Sequence, residues 1–152
     1  MSETLMRRLL LSLCLVLATI SVQAEVIDID NAELDRLIKS GVPVIDIRTQ
    51  PEWEETGIIG GSKLNTFFDE KGKADPAAWL EKLKPIAKPD QPVILICRSG
   101  NRTKPASQFL SQQASYAKVY NVKNGVKGWV KDGGALTPAT QTLASCRAAK
   151  TC

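Results

Sequence analysis

Histidine is absent from all 152 residues. That removes Ser-His-Asp and Cys-His nucleophile pairs, and it removes histidine-ligated metal sites. A reactive side chain in this chain has to be activated by backbone dipoles and cations, and no metal site is expected. Aromatic residues are scarce, at 5% of the chain. The lysines are scattered and do not interleave with the aromatics, which argues against a nucleic-acid surface. Cysteine is used sparingly, at Cys14, Cys97, Cys146 and Cys152. Arg98, Ser99 and Gly100 follow Cys97 without a second cysteine, so the C-x-x-C arrangement of a disulfide exchanger is missing. The long apolar run at the start, Leu9 to Ile20, falls short of the about 20 residues that a stable membrane anchor needs.

What is present reads as one soluble domain with a leader. Apolar residues make up 43% and charged residues 24%, enough for a real core and too apolar for disorder. A net charge of +4 favours small anionic substrates. Arg7 and Arg8 precede the apolar run, and Val22-Gln23-Ala24 supplies a cleavage site after Ala24. Residues 1–24 are therefore expected to be a secretory signal and the mature protein to be periplasmic, with no stable membrane anchor. Cys14 leaves with that signal. In an oxidising compartment the neighbours Cys146 and Cys152 are the simplest disulfide pair, leaving Cys97 free. The alternative is that both sit unpaired on a frayed tail.

The hydrophobic pattern alternates strands and helices. Strands are expected at Glu25–Ile29, Val42–Arg48, Ser62–Thr66, Val93–Ile96 and Lys118–Val122. A helix follows Asp30, a short helical turn begins at Pro51, and Asp75-Pro76 starts another helix. A further helix begins near Arg102 or Thr103. Gly125 to Trp129 reads as a glycine-punctuated turn, and Gly133-Gly134 ends the compact region. The expected domain is residues 25–134, an α/β fold of three layers with a mostly parallel central sheet of about five strands. Residues 135–152 are expected to be a tail that a Cys146–Cys152 disulfide would tie.

Within this pattern, Ile94-Leu95-Ile96-Cys97-Arg98-Ser99-Gly100-Asn101-Arg102-Thr103 places a cysteine between a buried strand and a helix N-terminus. Ligands of open α/β sheets bind outside the carboxyl ends of the strands. The loop N–H groups and the helix dipole favour a negative sulfur, and Arg98, Arg102 and Lys104 add positive charge. A buried, inert cysteine is the usual reading of a strand-end thiol, but the glycine, the arginines and the helix start together turn the reading towards a nucleophile.

The segment Cys97 to Thr103 resembles the active-site loop of the rhodanese family of sulfurtransferases. Other stretches are similar to further family motifs. Ile45-Asp46-Ile47-Arg48 with Pro51-Glu52-Trp53 is similar to the aspartate-x-arginine strand end and its acidic-aromatic turn. Gly57 to Ser62 is similar to a Gly-His-Ile-Pro-Gly-Ala segment, and Asn124 to Trp129 to a late Gly-Gly-x-x-x-Trp turn. Ile58, Gly60 and Asn124 depart from those patterns. The match covers residues 26 to 134, in the right order, and is closest in kind to the small single-domain periplasmic members.

The resemblance implies a thiosulfate sulfurtransferase with a ping-pong cycle and no cofactor beyond a covalent persulfide on Cys97. The partners it implies are a small anionic sulfur donor and, as acceptor, cyanide, a thiol or a protein thiol. It implies Arg102 as the main anion-binding residue and Arg98 as a second, more exposed contact. Ser99, Gly100, Asn101 and Thr103 complete the cradle, with the Ser99 and Thr103 hydroxyls near the sulfur. Asp46 and Arg48 are read as bracing the strand end and the Glu52 turn, Phe67 and Phe68 as core or pocket wall, and Trp129 as packing. A monomer is expected. A persulfide carrier or anion-binding module using the same loop is the alternative. Cysteine phosphatases and arsenate reductases are disfavoured because they need a loop one residue longer between cysteine and arginine.

Overall fold

The structure is a computed structural model that describes residues 24–152. The expected signal segment, apart from Ala24, lies outside the described residues. Five strands, β1 (Glu25–Ile29), β2 (Val44–Asp46), β3 (Lys63–Leu64), β4 (Val93–Ile96) and β5 (Lys118–Val122), form one sheet in the order β1-β5-β4-β2-β3. Every pairing is parallel, so the sheet is wholly rather than mostly parallel. Six helices accompany it among the described residues: α1 (Asn31–Lys39), α2 (Gln50–Thr56), α3 (Pro76–Leu83), α4 (Thr103–Gln112), α5 (Gly125–Lys131) and α6 (Thr140–Ala149).

The central strand β4 explains the layering. Its four residues are all buried, and their alternation sends Val93 and Leu95 to one core and Ile94 and Ile96 to the other. On the first face Trp79 and Leu83 of α3 and Ala106 and Leu110 of α4 close over the sheet with Phe67. Phe67 packs edge-on against Trp79 with ring centroids 5.0 Å apart, so Phe67 is core and Phe68 lies half-buried against it. On the second face Leu34 and Leu37 of α1 meet Val126 of α5, with Trp129 packed alongside.

Local chemistry sets the helix starts. Asp30 accepts from the Glu33 N–H at 2.9 Å and Asp75 from the Ala78 N–H at 3.0 Å, each satisfying a donor that the first turn cannot use internally. Gly57 ends α2 at φ +82.

Two expectations are corrected. Gly125 to Trp129 is not a turn but the first part of a helix, because the glycines serve close approach rather than helix breaking. A Cβ on Gly125 would lie 2.4 Å from the Cys97 carbonyl oxygen. Nor does Gly133-Gly134 end the compact region. Helix α6 packs Leu143 and Cys146 against Trp53, Ile58 and Leu64, and Thr137 exchanges backbone hydrogen bonds with Ile58 at 2.8 and 2.9 Å. Cys146 and Cys152 are joined by a disulfide with Cα atoms 5.4 Å apart.

Candidate active site

Cys97 sits at the carboxyl end of β4 and is 1% exposed. It is the free cysteine among the described residues. The chain turns back beneath it: Gly100, at φ +89, brings its N–H to 3.2 Å from the Cys97 sulfur, donating to it. The Thr103 hydroxyl lies 3.7 Å from the sulfur and donates to the Gly100 carbonyl at 3.0 Å. Thr103 thus closes the loop on itself while standing at hydrogen-bonding range of the sulfur. Ser99 and Asn101 are exposed on the rim.

A second element holds the loop from behind. The Val126 N–H donates to the Cys97 carbonyl at 2.9 Å and the Lys127 N–H to the Arg98 carbonyl at 3.0 Å. These are first-turn donors of α5, which have no partners within their own helix. The positive end of α5 is therefore spent on the backbone of the cysteine loop. The approach is close enough to require glycine on both sides. A Cβ on Gly100 would lie 2.1 Å from the Lys123 carbonyl oxygen, and its positive φ disfavours any other residue independently.

Arg102, the residue expected to take the anion, is engaged by a carboxylate. Its two terminal nitrogens donate to the two oxygens of Glu52 at 2.7 and 2.6 Å. Glu52 also accepts from the Thr49 N–H at 3.0 Å, the reach-back of a capping box at the start of α2. Burial alone would raise the Glu52 pKa, but the Arg102 and Thr49 hydrogen bonds outweigh it and hold the carboxyl down at about 2. The same pairing raises Arg102 above its ordinary value, against the opposing effect of its own partial burial.

Asp46 and Arg48 form the frame behind this pair. Arg48, 1% exposed, donates to the Asp46 carboxylate at 2.7 to 3.1 Å from two nitrogens. Its remaining donors reach the Thr56 hydroxyl at 2.7 Å and the Gly57 carbonyl at 2.9 Å. The β2 end is thus bolted to the far end of α2, whose first turn carries Glu52. The route Asp46–Arg48–α2–Glu52–Arg102 ties the strand next to β4 to the start of α4.

Arg98 is exposed and, with Lys127, has no carboxylate partner among the described residues. The two cations rim a cleft of about 280 Å³ lined also by Glu52, Glu55, Thr56, Val126 and Val130. Of the residues expected at the site, the structure brings Gly100 and Thr103 to the Cys97 sulfur, holds Arg102 on Glu52, and leaves Arg98 exposed. Sequence reasoning missed Glu52 as the partner of Arg102, and it missed Lys127, Val126 and Val130. The one signal for Glu52 was its position three residues after Thr49 at a helix start.

This arrangement can hold a negative sulfur against the Gly100 N–H, admit a small anion along an electropositive rim, and leave the strand-end cysteine without any imidazole. Comparison with known proteins gives it context. Residues 30–132 match the family model described as Rhodanese-like domain. The chain is 28% identical over 109 residues to thiosulfate sulfurtransferase 18 of Arabidopsis thaliana, covering 70% of this chain and 79% of that protein. It is 35% identical over 98 residues to the rhodanese domain-containing protein CG4456 of Drosophila melanogaster, covering 61% of this chain and 86% of that one. Among solved structures, a rhodanese-related protein from Thermoplasma volcanium superposes with a TM-score of 0.54 at 26% identity. That superposition covers 73% of this chain and 97% of that one.

Proposed function

The chain belongs to the rhodanese-like domain family, and on that footing we propose that it is a small periplasmic thiosulfate sulfurtransferase working through a persulfide on Cys97. In the first half-reaction the Cys97 thiolate attacks the outer sulfur of thiosulfate or a related anionic donor. A bond forms between the two sulfurs, the donor's S–S bond breaks, and sulfite leaves with the electron pair. In the second, cyanide or a thiol takes that sulfur and the electron pair returns to Cys97. No cofactor and no second subunit enter the cycle.

The observation that carries the reading is the Gly100 N–H donating to the Cys97 sulfur at 3.2 Å in a loop with no imidazole nearby. A donor fixed at that place favours charge on sulfur and costs no reorganisation when the leaving electrons return. Arg98 and Lys127 supply the path for an anion, and Arg102 joins it to the extent that an incoming oxyanion shares it with Glu52. The periplasmic placement is supported by the basic-then-apolar leader and by the Cys146–Cys152 disulfide, which persists in oxidising compartments.

The test is the intact mass of the purified protein after thiosulfate. A gain of one sulfur atom, lost on adding cyanide and absent in Cys97→Ser, is the expected result. Thiosulfate:cyanide transfer is expected to vanish in Cys97→Ser, and full activity of that variant would overturn the mechanism. A phosphatase or an inert thiol would gain no sulfur at all. A carrier would gain it and release it to a thiol without turning over on cyanide.

A further inference from the structure

The cleft beside the loop says more about the second substrate than the loop itself does. It opens at Arg98, the residue that follows Cys97, and its far wall is the α5 segment whose Val126 N–H is bonded to the Cys97 carbonyl. At about 280 Å³ it has room for roughly nine waters at about 30 Å³ each. A cyanide ion or a thiosulfate would fill a small part of that space. The volume stands just below the usual range for small-molecule sites.

Its lining is mixed in a specific way. Val126 is nearly covered, but Val130, one turn further along α5, is 49% exposed and is one of two large apolar side chains left in water among the described residues. Val126 and Val130 both line the cleft, together with Thr56. The charges sort unequally. Glu52 is neutralised by Arg102, leaving Arg98 and Lys127 against the single carboxylate of Glu55. The balance is positive enough to take one anionic group, and Glu55 disfavours a second on its own wall.

Resting on the sulfurtransfer reading, we infer that the sulfur acceptor is a small organic thiol carrying an apolar arm and one anionic group. The arm lies on Val126 and Val130 and the anion meets Arg98 and Lys127. The acceptor reaches the cleft as a thiolate, its proton already given to solvent. It attacks the outer sulfur of the Cys97 persulfide, a new S–S bond forms to the acceptor, and the bond to Cys97 breaks with its electron pair returning to the Cys97 sulfur. The acceptor leaves as its own persulfide, with no net oxidation. Val130 and Lys127 then set which thiol is served.

The experiment loads the full chain with thiosulfate, removes excess donor, and follows loss of the extra sulfur by intact mass with four thiols. Mercaptoethanol is short and neutral, mercaptoacetate short and anionic, mercaptohexanol long and neutral, and mercaptohexanoate long and anionic. Compared at equal thiolate concentration, mercaptohexanoate is expected to discharge the protein about tenfold faster than the others or more. Val130→Asp is expected to collapse the advantage of the long arm, and Lys127→Glu that of the carboxylate, each shifting the rate ratio about tenfold. Equal rates for the four thiols, or ratios that survive both substitutions, overturn the inference. The two readings separate cleanly: failure to gain sulfur from thiosulfate overturns both, whereas sulfur gained and then discharged indiscriminately overturns this one alone.

Discussion

Gly100 is the residue on which the cysteine loop turns, and two separate penalties protect it. Its φ of +89 is one, and the Lys123 carbonyl 2.1 Å from where a Cβ would sit is the other. Gly72 carries the first penalty without the second, with φ +76 and open space around it. Gly72→Ala is therefore expected to cost about 1 kcal/mol from backbone strain. Gly100→Ala should cost about 2–4 kcal/mol, because β5 and the loop must also separate. Urea unfolding of the two variants checks the difference, and Gly100→Ala should also fail to gain sulfur from thiosulfate. Equal costs would mean that the loop yields easily and that its geometry is not set by close approach. This part of the site was legible in the sequence because its determinants are consecutive: a buried strand, a cysteine, a glycine and a helix start. The Glu52–Arg102 pair was not. Its members stand 50 residues apart, and one sequence does not say which of its acids meets which of its arginines.

Helix α2 illustrates how an element can be recognised as a helix and still have its role missed. Proline at its second residue announced a helical start, but its service to the site depends on the parallel order that sets it beside α4. Helix α5 was missed for a complementary reason. Gly125 and Gly128 read as breakers, whereas the first lets the helix N-terminus approach the Cys97 carbonyl. The clamp that α2 makes has a pH signature. Glu52 titrates at about 2 in the folded protein against an ordinary 4.5. A carboxyl depressed in this direction stabilises the fold fully above its unfolded pKa, and the contribution is lost as pH falls from there towards the folded value. The wild-type urea midpoint is expected to fall as pH drops from about 5 to about 2, and Glu52→Gln should fall less steeply over that window. At neutral pH Glu52→Gln should be the less stable protein. Parallel curves for the two would show that the Arg102 pair contributes nothing to folding in solution.

At the scale of the whole molecule, the closing segment completes the sheet. Strand β3 has two residues and one strand neighbour, an edge that invites pairing with another chain unless it is covered. Helix α6 covers it, laying Leu143 and Cys146 on Leu64, Ile58 and Trp53. The Lys82 ammonium group donates to the Cys152 carbonyl at 3.0 Å and ties the chain end to α3. The sequence pattern ran out at Gly134 because the last stretch is small and polar, with too few apolar residues to show a helical period; the family match likewise stops at residue 132. The disulfide therefore works as a clasp on an edge cover. Closing a loop with a sequence separation of 6 removes unfolded-state entropy worth about 2 kcal/mol. The double variant Cys146→Ser with Cys152→Ser is expected to lose about that much stability in urea. Well below its unfolding transition it should keep thiosulfate:cyanide turnover, since Cys97 lies at the end of β4 and the disulfide beyond the β3 edge. Turnover lost in a variant that remains folded would instead make one of these cysteines a resolving partner of Cys97. A stability loss much larger than 2 kcal/mol would mean that α6 as a whole leaves the edge when the clasp is opened.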